Sequence, residues 1–309
     1  MSTVSGTPLL APPTSSSGEI LESLDDPDAD IILCSREGHE FRVPKLYVTK
    51  VSPVLRDLIQ STSSSYTADA TSSLPPVKLS DGSSTLSSLL TFILPILPRL
   101  PFTHEQTIIL LSTAQKYQMD SIMSRIRGTV ASQNPPLIRP ETAFRVYSLA
   151  RLHGLRQEAL QAARTTLTFS FTLEDLEDEL GVIPGTYLRE LWMYYQTVRT
   201  HLISDLTAFR TTGMPVPTPP CGPNTTLGTP VWLDLYVHSI EESPALFDLT
   251  EFHMSLSRHI AQRGPGCRCS SMSSKAVRSF WTYLSNVVHS CMTKVGLDGL
   301  QDCTILGNN

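Results

Sequence analysis

The spacing of apolar residues changes several times between strand-like and helix-like in the stretch from Asp28 to Val130. A continuous apolar run at Ile31 to Cys34 predicts a strand that is buried on both faces. Phe41 and Val43 alternate with polar neighbours after a polar turn, and they predict a second strand paired with the first. A third short strand is predicted at Val77 to Leu79, so this part of the chain is expected to hold a short three-stranded sheet.

Helical spacing follows the second predicted strand. Apolar residues recur every three or four positions from Lys45 to Ile59, and Pro53 interrupts the backbone hydrogen-bond ladder there, which predicts two short helices or one kinked helix. Thr107 to Tyr117 and Ser121 to Val130 predict a helical hairpin, with Asp120 as the cap of its second helix. The helix before this hairpin is marked by Leu86, Leu89, Leu90, Ile93 and Leu94. Strands and helices in this order predict an α+β fold.

Beyond Pro135 the chain predicts helices alone, so an all-α region follows the α+β part. The clearest of these helices is long and amphipathic, and its apolar stripe is predicted to face a core. The stripe consists of Leu188, Leu191, Tyr195, Val198, Leu202, Leu206 and Phe209. The other predicted helices span residues 141–153, 155–167, 231–241, 250–262 and 274–295.

Composition sets the predicted domain boundaries. Residues 1–24 are rich in Ser, Thr and Pro, which predicts a disordered tail, and the similar composition of residues 61–76 predicts a flexible loop. Residues 213–230 are Pro-rich and predict a linker. The predicted domains are therefore an α+β domain at 25–135, a helical region at 136–212 and a C-terminal helical region at 231–309.

Composition and charge narrow the functions open to the chain. Of its 309 residues, 40% are hydrophobic and 17% are charged, which is typical of a globular protein. The net charge of −5 argues against nucleic-acid binding, which needs a basic face to displace counterions from phosphates. No apolar segment is long enough to span a membrane, and the N-terminus lacks the parts of a signal peptide. With six cysteines that are sparse and unevenly spaced, the predicted location is cytoplasmic or nuclear.

Cys267 and Cys269 form the one closely spaced cysteine pair and lie in a Gly-rich turn. Together with Cys221 and one histidine they could supply four zinc ligands. The C-x-C spacing is atypical, because zinc sites usually use C-x2-C pairs. A structural contact or disulfide between Cys221 and the turn, or no special role, are the alternatives, and no cofactor is predicted. The candidate histidines are His238, His253 and His259.

The sequence lacks the short motifs of common enzyme sites, such as the nucleophile elbow, the phosphate-binding loop and the zinc-protease helix. Carboxylates are concentrated between Glu174 and Glu179, where they suit a helix start and a solvated surface better than acid–base catalysis. We therefore expect a protein that is not an enzyme and has no catalytic residue.

The residues at the joints between the predicted elements resemble the BTB/POZ domain, a protein-interaction fold. The resemblance is carried by Asp30, Phe41-Arg42-Val43, Lys45, Val48, Ser52-Pro53-x-Leu55, Val77-Lys78-Leu79-Ser80-Asp81 and Ala114-x-x-Tyr117-x-Met119-Asp120. The chain departs from the family at Pro44, where His is usual, and at Leu55, where Phe is usual. The Val-Pro-Lys sequence at 43–45 is similar to BTB proteins that filamentous fungi carry in large sets.

The resemblance implies a protein that oligomerises or holds other proteins on a scaffold. In BTB homodimers, residues that match Asp30 and Lys45 lie together in a charged surface pocket, so these two are expected to contact a partner. The segment that the strongest dimers of the family exchange is not recognisable in residues 1–24, which leaves homodimerisation open. Two other roles are implied: a substrate adaptor bound to the cullin scaffold of a ubiquitin ligase, and a transcription-related regulator acting through partner proteins.

Overall fold

The computed structural model describes residues 28–65, 76–94, 101–168, 181, 183–213, 236–238, 240–241 and 274–297. The chain divides into two compact units, which we call unit 1 (Met1–Pro136) and unit 2 (Leu137–Asn309). The predicted tail at 1–24, the helix at 250–262 and the linker beyond Gly213 lie outside the described residues.

Unit 1 contains a three-stranded sheet. Its strands are β1 (Ile31–Cys34), β2 (Glu40–Val43) and β3 (Pro76–Lys78), in the order β2-β1-β3. Strand β1 pairs antiparallel with β2 and parallel with β3. All four residues of β1 are buried, whereas burial alternates along β2, as the apolar patterns predicted.

Five helices complete the described part of unit 1: α1 (Lys45–Val51), α2 (Pro53–Ser65), α3 (Ser83–Ile93), α4 (His104–Lys116) and α5 (Asp120–Ala131). Two predictions were wrong here. Helix α2 continues to Ser65, so residues 61–65, predicted as loop, are helical. Asp120 is the first residue of α5 and not its cap, because Met119 holds the cap position without a side-chain hydrogen bond. At the first position the Asp120 carboxylate still complements the partial positive charge of the helix start.

The described part of unit 2 is helical. Its main elements are α6 (Pro140–Leu152), α7 (Arg156–Thr166), α8 (Gly185–Thr212) and α9 (Ser274–Lys294), and residues 236–238 and 240–241 are helical as well. Helices α6 and α7 pack against each other across a short turn, where Gly154 has a φ of 69° that favours glycine. No helix in the described ranges has both the length and the apolarity needed to cross a bilayer.

The predicted stripe of α8 faces the interior of unit 2 along most of its length. Five of its seven residues are buried, namely Leu191, Tyr195, Val198, Leu202 and Leu206. Leu188 is 37% exposed, so the stripe begins one turn later than predicted. Tyr194, which was not in the predicted stripe, is fully buried, and its hydroxyl donates to the carbonyl of Met292 at 3.2 Å. The buried face of α8 is therefore wider than the predicted stripe, because it also includes Tyr194.

Candidate functional site

Helix α1 presents two large apolar side chains to solvent. Leu46 is 71% exposed and Tyr47 is 41% exposed, while their neighbour Val48 is fully buried. The helix packs on α2, α3 and α5 with the opposite side. Ile109 on α4 is the other large apolar side chain of unit 1 with comparable exposure among the described residues. A contiguous exposed apolar patch can mark a protein-interaction site, and these two side chains are neighbours in the chain. We call Leu46 and Tyr47, with Asp30 and Lys45 beside them, the α1 face.

The start of α1 is capped from a distant part of the chain. The residue at the cap position, Pro44, makes no side-chain hydrogen bond, and its side chain has no acceptor to offer. The backbone N–H of Lys45 instead donates to Oδ1 of Asp30, the residue immediately before β1. A carboxylate in this place satisfies one of the free N–H groups of the helix start and complements its partial positive charge.

A second carboxylate does the same at α3. Gly82 holds the cap position of α3 and has no side chain, and the backbone N–H of Ser83 donates to Oε2 of Glu37 at 2.7 Å. The hydrogen bond from Ser83 is the main reason that the pKa of Glu37 lies below its usual value. A Cβ atom at Gly82 would lie 3.3 Å from the Glu37 carboxylate, so the absence of a side chain there gives the carboxylate room.

Ser52 fixes the break between α1 and α2. Its side chain is fully buried, accepts from the N–H of Leu55 at 3.0 Å, and donates to the carbonyl of Tyr117 at 2.6 Å. The first bond is that of a helix cap, and Pro53 fits the first helical position because its nitrogen needs no partner there. One hydroxyl thus sets the direction of α2 and ties it to the end of α4.

Asp81 joins the end of β3 to the end of α4. Its carboxylate accepts from the hydroxyl of Tyr117 and forms an ion pair with Lys116 at 2.8 Å. The Lys116 ammonium also donates to the hydroxyl of Ser80 at 2.7 Å. Burial, together with the Asp81 carboxylate, raises the pKa of Tyr117, which therefore stays protonated and acts as the donor. This group stabilises the frame on which the α1 face lies.

Residues 22–133 match the family model of the BTB/POZ domain. The matched stretch includes the sheet and all five helices described for unit 1. The chain contains a BTB/POZ domain. BTB/POZ domains are general protein–protein interaction modules and are typically not enzymes. No curated protein matches the chain significantly.

Within the BTB/POZ domain, the structure brings the two predicted site residues together through the backbone. Asp30 is exposed and its carboxylate binds the N–H of Lys45, whereas no ion pair of the described residues involves the Lys45 ammonium. Contact of either residue with a partner stays a prediction. Sequence reasoning missed Leu46 and Tyr47 as surface residues, because Leu46 fits the apolar helical spacing that predicts a core position.

The predicted zinc ligands are not brought together by the described residues. Cys221, Cys267 and Cys269 lie outside these residues, as do His253 and His259, and His238 is exposed. Among the described residues no group of three or more His, Cys, Asp or Glu side chains could hold a metal ion. The zinc site therefore stays a prediction.

Unit 2 holds a sheltered ion pair. Arg151 of α6 and Glu190 of α8 are 2.7 Å apart, and their side chains are only 16% and 15% exposed. The guanidinium of Arg151 also lies over the ring of Tyr187, 4.8 Å from its centroid. Burial raises the pKa of Glu190, an effect that Arg151 opposes by stabilising the charged carboxylate. The pair joins α6 to α8 and is a structural element of unit 2.

An open groove of about 390 Å³ lies between α8 and α9. Phe209 and Tyr283 contact each other in its wall, with ring centroids 5.9 Å apart. At its charged end, Asp205 accepts from the thiol of Cys291 at 3.2 Å and lies 3.6 Å from the Lys294 ammonium. Burial, with a further contribution from Asp205, raises the pKa of Cys291 to about 12, so this thiol is a hydrogen-bond donor and not a nucleophile at neutral pH.

Proposed function

We propose that this protein is an oligomerising interaction module whose BTB/POZ domain binds a second copy of the chain through the α1 face. The proposal rests on one observation: Leu46 and Tyr47 are the large apolar side chains that α1 leaves uncovered. Burying such side chains against a partner removes apolar surface from water, which is the main favourable term in protein association.

A second copy is the partner that suits this face. Most soluble oligomers are symmetric, and in a two-fold dimer the same patch meets itself. The α1 face has an apolar centre and one carboxylate and one ammonium beside it, from Asp30 and Lys45. Two identical faces of this kind meet without net charge repulsion, which supports self-association.

Light scattering on the full chain tests this proposal. We expect a mass near twice 34.1 kDa, and a mass near 34.1 kDa for Leu46→Glu, because a charge would be buried without a partner in the dimer. Ile109→Glu is the matched control, since it places the same charge on another exposed apolar position of unit 1 and should leave the dimer intact. A wild-type chain that remains at 34.1 kDa up to about 100 μM, where a micromolar dimer would form, would contradict the proposal.

Two other roles are separate predictions. As a cullin adaptor, the chain should bind the N-terminal region of a cullin, and no binding at about 10–100 μM would count against that role. As a transcription-related regulator it would act through partner proteins, and affinity purification with mass spectrometry would identify them. Neither role is argued from the α1 face. Binding of a cullin or of another partner that survives Leu46→Glu would therefore be separate from self-association.

A further inference from the structure

We propose that Asp30 is a positioning residue that acts inside its own subunit: it holds the first turn of α1, and with it Leu46 and Tyr47, in the geometry needed for binding. This inference rests on the proposed function of the α1 face. It differs from the charged-pocket interpretation of the sequence, in which Asp30 and Lys45 act as a pair of opposite charges.

The contact that carries the inference joins a side chain to the backbone. The Asp30 carboxylate accepts from the main-chain N–H of Lys45, so the identity of the Lys45 side chain is irrelevant to this bond. No ion pair to the Lys45 ammonium is found among the described residues. The geometry therefore assigns the carboxylate to the helix start and leaves the ammonium to solvent or to a partner.

Three features make α1 dependent on this external cap. The helix has only seven residues, its cap position is Pro44, and no acidic residue lies in its first turn. A helix of two turns has little stability of its own, so the loss of one cap affects much of it. Leu46 and Tyr47 are the second and third residues of the helix and belong to the turn that the cap holds.

The pattern recurs at the other end of β1. Asp30 precedes β1 and caps α1, while Glu37 follows β1 and caps α3, whose own cap residue, Gly82, also lacks an acceptor. The two carboxylates thus attach two helix starts to the same strand. We infer that the orientation of the α1 face is set by β1 through Asp30.

Three substitutions separate the positioning role from a charge pair. Asp30→Asn keeps an acceptor oxygen and removes the charge, whereas Asp30→Ala removes both, and Lys45→Gln keeps the backbone donor. We expect Asp30→Ala to weaken self-association about fivefold, in line with the usual effect of losing a cap. Asp30→Asn and Lys45→Gln should each stay within about twofold of the wild type, because Asn caps helices as well as Asp does. Equal weakening by Asp30→Asn and Asp30→Ala would overturn the proposal in favour of a charge pair.

A second readout does not depend on association. Hydrogen–deuterium exchange of the peptide covering residues 44–51, measured below the concentration at which the chain self-associates, should speed up in Asp30→Ala and not in Asp30→Asn. If exchange in Asp30→Ala equals that of the wild type, the positioning role is wrong even when the chain dimerises. If exchange follows the expectation but Leu46→Glu leaves the mass of the protein unchanged, the positioning role stands and self-association through the α1 face is wrong.

Discussion

In unit 1 charged side chains reach both ends of two helices, whereas in unit 2 guanidinium groups join separate helical segments through backbone carbonyls. In unit 1, carboxylates of Asp30 and Glu37 accept from the N–H groups that start α1 and α3. The guanidinium groups of Arg56 and Arg125 donate to the carbonyls of Thr49 and Phe92 near the ends of the same two helices. In unit 2, guanidinium groups donate to backbone carbonyls: Arg164 of α7 to Met292 and Thr293 at the end of α9, and Arg199 of α8 to Ile240 and Glu241. The carboxylates at the starts of α1 and α3 and the guanidinium groups at the ends of α1, α3 and α9 match the partial charges of a helix, which are positive at its start and negative at its end.

The units also differ in where their charges lie. In the described part of unit 1, the ion pairs Arg36–Glu37 and Lys116–Asp81 each have one side chain that is nearly half exposed or more. The Arg151–Glu190 pair of unit 2 is sheltered on both sides. Unit 2 also has an exposed pair, Lys294–Asp205, but its sheltered Arg151–Glu190 pair joins two helices. Substitutions should accordingly have different effects in the two units.

The largest effect is expected at the sheltered pair. Arg151→Met should lower the free energy of unfolding of unit 2 by about 3 kcal/mol, because Glu190 stays partly buried without its partner. Adding Glu190→Gln should recover part of that loss. Trp192, Trp232 and Trp281 are the only tryptophans of the chain and all lie in unit 2, so tryptophan fluorescence in denaturant reports this unit. Lys294→Met, at an exposed pair in the same unit, is the control and should change stability by no more than about 0.5 kcal/mol.

The buried hydroxyl of unit 1 comes next. Ser52→Ala should destabilise unit 1 by about 2 kcal/mol, since it leaves the N–H of Leu55 and the carbonyl of Tyr117 without this partner. Cys34 is buried in β1 and is the only cysteine of unit 1, so mass-spectrometric labelling of this thiol in denaturant reports the opening of the unit. Ser124→Ala, on the exposed side of α5, is the matched control and should behave like the wild type.

A smaller loss is expected at the backbone carbonyls that Arg199 binds. Its guanidinium donates to two carbonyls, so Arg199→Met should destabilise unit 2 by about 1.5 kcal/mol. Arg189 lies on the same helix with an exposed side chain, and Arg189→Met should leave the fluorescence midpoint unchanged. Equal effects of the two substitutions would show that the contacts of Arg199 with these carbonyls do not stabilise unit 2.

The smallest effect is the pH dependence of Glu37. Its pKa lies below the ordinary value of 4.5, so its charged form stabilises the folded state above that value, and this contribution is lost as the pH falls through the folded-state pKa. Glu37→Gln should therefore differ from the wild type at neutral pH and converge with it under acid conditions. Denaturant unfolding followed by circular dichroism across this pH range would check the sign, with Glu40→Gln as the control on the exposed side of β2. A difference that grows as the pH falls would contradict the assignment.

The sequence predicts the local elements of this protein better than the contacts between them. The run Ile31 to Cys34 and the alternation in β2 are read directly from apolar spacing. The hydrogen bond from Ser52 to Tyr117 joins residues 65 positions apart, and a local sequence pattern cannot predict a contact over that separation. Composition also misleads about a local element at the Ser-rich end of α2. Helical structure continues there to Ser65, where composition predicts a loop.

The candidate site was predicted in part. The resemblance to the BTB/POZ family pointed to Asp30 and Lys45, and the structure places them in contact, but through a backbone donor that the sequence does not specify. Leu46 fits a helical apolar stripe, and periodicity alone does not show which stripe positions a short helix leaves uncovered. Exposure depends on which neighbours pack on α1, and that is a property of the whole unit.

Hydrogen–deuterium exchange of the full chain, compared at concentrations below and above its self-association, tests the central claim most directly. We predict added protection in the peptide covering residues 44–51, and none in peptides containing Ile109 or the exposed Trp192. Protection that appears around Trp192 and not in α1, or a chain that associates with no change in α1, would contradict the α1 face as the interaction site.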